Sequence, residues 1–184
     1  YRSFQYLPII RKHGLEYELI PLFIEEYLIK KYKNRRTPFF LTIRLLIRRL
    51  LSILRASNYS VVFIEYELIP FFPAIFEWLL RYRGCKLVFD YDDAIFHRYD
   101  LNKFFTIRNL FKNKIKSVMR SANIVIVGNK YLADYAHSAG SKQVELIPTV
   151  VDLSKYPVFK TNFQSNLFNI GWIGSPSTTR YLYS

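Results

Sequence analysis

Three carboxylates, Asp90, Asp92 and Asp93, fall within the stretch KLVFDYDDAIF at residues 86–96. The stretch opens as a short apolar run and breaks into acids. That pattern describes a buried parallel strand that delivers polar groups at its carboxyl end. Ligands of open α/β sheets bind at that end. By ligand type, carboxylates placed there can hold a cation. They can equally cap the following helix, because acids complement the positive end of its dipole. The residue types leave both readings open. A second acidic pair, Glu65 and Glu67, follows the apolar run at residues 60–64 and carries the same two readings. His97, just past Asp93, is a histidine near carboxylates that could relay protons, or is an ordinary loop histidine. Gly128 and Asn129 turn the run at residues 123–127 into a helix whose first backbone N–H groups suit an anionic or sugar ligand. Gly174, Ser175 and Thr178 lie in a loop between an expected strand and helix, the arrangement of a phosphate cradle.

The elements that must position these residues alternate. Helices are expected over residues 2–13 (with Pro8 kinking it or marking its first turn, and Gly14 as its stop), to about residue 33, and over 39–55, 70–83, 102–121 and 131–138. Strands are expected over residues 17–23, 60–64, 86–90, 123–127, 144–147 and 168–173. Thr37 and Pro38 read as the N-cap and first position of the helix at 39–55. Strand–helix alternation of this kind gives an α/β fold with a doubly wound, largely parallel sheet. In the 39–55 helix, Phe39, Ile43, Leu46, Leu50, Ile53 and Leu54 share a broad face expected to pack on the core, with Arg44, Arg48 and Arg55 on the other face and Leu41 and Leu45 beside them. In the 102–121 helix, Phe104, Ile107, Phe111, Ile115 and Val118 form the expected buried stripe. Arg108, Lys112, Lys116 and Arg120 step along its flank.

The formal charge is +13, and it is unevenly placed. Residues 27–64 and residues 101–133 hold many Lys and Arg and no acid, so the rest of the chain is mildly acidic. Two basic segments point to an anionic partner, and Arg44, Arg48, Arg55, Arg108, Lys112 and Lys116 are the candidates for a membrane surface. Nucleic acid is not expected, because no helix-turn-helix, zinc or aromatic RNA-binding motif is present. With 51% hydrophobic residues the chain is not a disordered one, and no apolar run is long enough to span a bilayer. One cysteine, Cys85, allows no internal disulfide and fits a reducing, cytoplasmic location, with peripheral association at the inner face of the membrane. A chain starting at Tyr1 and ending at Ser184 within a structural unit reads as a fragment.

DYDDAIF after an apolar strand resembles a segment of the family 4 glycosyltransferases, which have the two-domain GT-B architecture. YRSFQYLPIIRKHG is similar to the family's first helix, and FIEYELIPFFPAI to its third strand and loop. SANIVIVGNKYLADYA, IPTVVDLSKYP and FNIGWIGSPSTTRYL follow in the family's order. The resemblance implies a Rossmann-like acceptor-side domain at residues 1–154, a linker at 155–166 and the start of the donor-binding domain at 167–184. It implies transfer of a sugar, with retention, from a nucleotide-sugar donor to a glycan or lipid-linked acceptor in cell-surface polysaccharide or glycolipid synthesis. The nucleotide-sugar is then a substrate, and neither cofactor nor metal is expected. It places Arg2, Glu65, Glu67, Asp90, Asp92, Asp93, His97, Gly128 and Asn129 on the acceptor side of the cleft, and Gly174, Ser175 and Thr178 on the donor side. The family's paired glutamates and diphosphate-gripping residues lie in the part of the second domain not present here, so the chain alone is expected to be catalytically incomplete. The alternatives are a non-catalytic, basic membrane-surface module, or another two-domain sugar-nucleotide enzyme such as an epimerase.

Overall fold

A computed structural model describes residues 3–24, 29 and 39–150. A 3₁₀ turn at Ser3–Tyr6 leads into α1 (Leu7–Lys12), with Pro8 in the first turn, where its missing N–H costs nothing. Gly14 closes the helix at φ 74°, a conformation open to glycine. The expected strand at 17–23 does not form. Pro21 withholds an N–H from any ladder there, and Leu15, Leu19 and Phe23 stay exposed.

Next come α2 (Phe39–Arg55), a 3₁₀ turn (Ala56–Asn58), β1 (Val62–Glu65) and α3 (Ile75–Tyr82). They are followed by β2 (Leu87–Tyr91), α4 (His97–Asp100), α5 (Phe105–Phe111) and α6 (Lys114–Ser121). The described part ends with β3 (Ile124–Val127), α7 (Lys130–Ser138) and β4 (Val144–Leu146). The strands form one sheet in the order β1-β2-β3-β4, parallel throughout. Each crossover moves the chain in the same direction across the sheet. The right-handed rule therefore places the connecting helices on one face.

Register explains the burial. Ile64, Phe89 and Val125 stand side by side on the helix-covered face, and Tyr91 and Val127 continue it. All five are buried. On the opposite face Phe63, Val88 and Ile124 are exposed or half-buried, while Asp90, further along the same face of β2, is buried. Helix α3 packs on α6, and α6 on α7. Trp78 Nε1 donates to Ser117 Oγ at 2.9 Å across the first contact, and Arg120 Nε to the Ala139 carbonyl at 3.0 Å across the second. The result is α/β with an open parallel sheet flanked by helices.

Three further element expectations change. Helix α3 starts later than residue 70, because Phe71 takes φ 55° and Pro73 interrupts the backbone donors. The 102–121 helix breaks at Lys112–Asn113 into α5 and α6, and Phe104, expected inside, is exposed. Helix α2 is rotated from its expected pose: it buries Leu45 and Ile53, while Phe39, Ile43, Leu46, Leu50 and Leu54 face outward. By internal packing the chain divides into Tyr1–Val150 and Val151–Ser184. The second unit, with the expected linker and donor-side elements, lies outside the described residues, as do Thr37 and Pro38.

Candidate functional site

The carboxyl ends of β1 and β2 lie side by side, with Glu65 in register with Asp90. The ladder runs one residue further on both sides: Tyr66 N–H donates to the Asp90 carbonyl at 3.0 Å, and Gly128 N–H to that of Tyr91 at 2.9 Å. Tyr66 adopts φ 66°, the left-handed region that costs a non-glycine residue roughly 1–3 kcal/mol. In that conformation its hydroxyl donates to Asp92 Oδ1, and its ring meets Tyr91 edge-on at 6.1 Å. Burial, the bond to Asp92 and the charges of Asp92, Asp93 and Glu65 all push the Tyr66 phenol well above its usual range. Tyr66 is therefore a neutral donor set among three carboxylates. Asp92 is half-buried, Asp93 and Glu65 are open to solvent, and the Ser3 hydroxyl donates to Glu65.

Asp90 and Glu67 sit elsewhere. Both are buried. Tyr99 Oη lies 2.8 and 2.7 Å from the two Glu67 oxygens, and Lys114 Nζ lies 2.5 Å from Oε2. The same ammonium donates to the Ile69 carbonyl at 2.5 Å, and Arg98 adds a longer contact at 3.6 Å. Tyr99 Oη also accepts from Phe71 N–H at 3.1 Å. Glu77, likewise buried, accepts from Leu68 N–H at 3.1 Å. This inner network ties down residues 67–71, directly after the strained Tyr66. Glu67 thus shapes the loop from below and does not line an open surface. Lys114 escaped the sequence reading, although the signal was there: it falls on the apolar stripe between Phe111 and Val118.

His97 gains partners the sequence did not name. Its Nδ1 lies 3.0 Å from Asp100 Oδ1, and its Nε2 2.9 Å from the Tyr131 hydroxyl. With the proton on Nδ1, Asp100 accepts from the ring and Nε2 accepts from Tyr131. Phe96, stacked on Tyr135 at 3.7 Å, holds the base of this chain. Tyr131 is set by the start of α7, where Asn129 Oδ1 accepts from Leu132 N–H at 3.0 Å. A carboxylate–imidazole–phenol chain can pass a proton between Tyr131 and solvent.

The basic candidates separate. Arg44, Arg48, Arg55, Arg108 and Lys112 are exposed, whereas Lys116 is half-buried over the Tyr135 ring at 5.5 Å. With Arg120 bonded to Ala139, the expected four-residue row does not stay one open flank. Arg2, Gly174, Ser175 and Thr178 lie outside the described residues. Among the described residues no three His, Cys, Asp or Glu side chains are grouped to hold a metal ion, and no helix is long and apolar enough to cross a membrane.

Fold and site together define an open parallel α/β domain with a carboxylate-lined strand end. Comparison with protein-family models, with curated proteins and with solved structures found no match.

Proposed function

We propose that this chain is the acceptor-side part of a glycosyltransferase of the family 4 kind, moving a sugar from a nucleotide-sugar to a glycan or lipid-linked acceptor. The observation that carries the reading is the grouping of Glu65, Tyr66, Asp92 and Asp93 at the carboxyl end of β1 and β2. Exposed carboxylates accept hydrogen bonds from sugar hydroxyls, and one of them can take the proton an attacking hydroxyl gives up. The neutral Tyr66 phenol holds Asp92 in place. His97, just past Asp93 and bonded to Asp100 and Tyr131, is a second group that can handle a proton. The resemblance of residues 168–182 to the family's donor-side loop supports a nucleotide-sugar as the second substrate.

Two measurements test this. Titration of the chain with oligosaccharide acceptors is expected to shift the backbone amide resonances of Glu65, Tyr66, Asp92 and Asp93. In the gene's whole product, Asp92→Asn is expected to lower nucleotide release from the donor about a hundredfold in the presence of acceptor. Undiminished transfer in Asp92→Asn and Asp93→Asn, or no release from any nucleotide-sugar, would remove the proposal.

A further inference from the structure

Helix α2 carries an exposed apolar stripe that the sheet does not use. Phe39, Phe40, Ile47, Leu51 and Leu54 are each at least half exposed, the two phenylalanines at 73% and 83%. At 3.6 residues per turn they fall, with Ile43, Leu46 and Leu50, on a continuous band about 140° wide. The inward face is a different one, marked by Leu45, Ile53 and Ala56. Arg44, Arg48 and Arg55 form a row along the edge of the band away from that inward face. Among the described residues no ion pair joins any of the three to a carboxylate.

From this geometry we infer that α2 is a membrane-docking helix that lies in the plane of an anionic lipid surface. The aromatic and aliphatic band enters the acyl boundary, and the arginine row meets the phosphates. The charges select lipid over a second copy of the chain. Pairing the band with itself would bring arginine rows together in a segment, residues 27–64, that contains no acid. The band is also amphipathic in the manner of an interfacial helix, apolar and cationic in adjacent strips, and too short and too charged to span. The inference is independent of sugar transfer, and lipid binding is read with no donor or acceptor present.

Flotation of the protein with phosphatidylcholine vesicles, with and without phosphatidylglycerol, is the test. Binding is expected only where phosphatidylglycerol is present, and is expected to fall steeply as salt rises from roughly 0.1 to roughly 0.5 M. The triple variant Arg44→Glu, Arg48→Glu, Arg55→Glu is expected to bind at least about a hundredfold more weakly. Phe39→Ser with Phe40→Ser and Ile47→Ser is expected to lose binding while keeping the circular dichroism and melting temperature of the parent, since these side chains touch little of the core. Equal binding to neutral vesicles, unchanged binding of either variant, or a stable dimer with no vesicle binding would each overturn the inference.

Discussion

Lys114 and Glu67 show most directly how single residues shape the candidate site. Both are buried, and Lys114 bridges Glu67 to the Ile69 carbonyl. A buried pair is weak evidence for net stability, but breaking one leaves a charge without its partner. Lys114→Met is therefore expected to destabilise the domain by about 3–5 kcal/mol in urea unfolding. Adding Glu67→Gln should recover part of that loss, because the orphaned charge is gone while Tyr99 can still donate. If the double variant were no more stable than Lys114→Met, the ion pair would not be what holds residues 67–71. The acids at the ends of β1 and β2 were legible as residues, but their division of labour was not. In sequence, Glu65, Glu67, Asp90 and Asp92 look alike. Only the left-handed turn at Tyr66, which throws that ring toward Asp92, separates Glu65 on the surface from Glu67 beneath it. A positive φ at a tyrosine has no signature in residue type. His97 was visible as a titratable group. Its partners Asp100 and Tyr131 were not, because one of them arrives from a different helix.

Helix α7 is where an element-scale rule has a site-scale consequence. Asn129 is in extended geometry at the N-cap, and its side chain accepts from Leu132 N–H. Asn129→Ala should cost about 1 kcal/mol in thermal or urea unfolding, with Asn129→Ser nearly neutral. Because Tyr131 sits in the same first turn, the alanine variant should also loosen the Tyr131–His97 contact, read as a changed His97 imidazole resonance. An unchanged melting profile would mean that the cap contributes nothing. Strand–helix alternation read correctly where a short, bounded run carried the strand, β-branched in β1 and β3 and less so in β2 and β4. It failed at residues 17–23, where the pattern is strand-like but Pro21 leaves no continuous ladder. It also misjudged α2. A helix with apolar residues on most of its circumference does not announce which part meets the core, so periodicity alone placed Phe39 inside and Leu45 outside, the reverse of what forms.

At the scale of the whole unit, the parallel sheet buries one face under helices and keeps its charged groups at one end. The network under the sheet's end therefore couples that end to global stability. Glu77 is the group to follow. Burial raises its carboxyl above the ordinary value of 4.5, and the charge of Glu67 adds to this. The backbone N–H groups it meets and the Lys114 ammonium act in the opposite direction without cancelling the rise. A raised carboxyl binds its proton more tightly in the folded state than in the unfolded one. Its contribution is thus fully present below pH 4.5, and is lost as pH climbs through the window between 4.5 and the folded value. Glu77→Gln keeps an oxygen for Leu68 N–H and does not titrate. The variant should gain stability relative to the parent as pH rises from 4.5, with the gap levelling off once the parent's carboxyl has ionised. Urea unfolding measured across that range decides it: parallel profiles for parent and variant would mean that Glu77 is as easily ionised inside the fold as outside, and that Lys114 neutralises both buried glutamates at once.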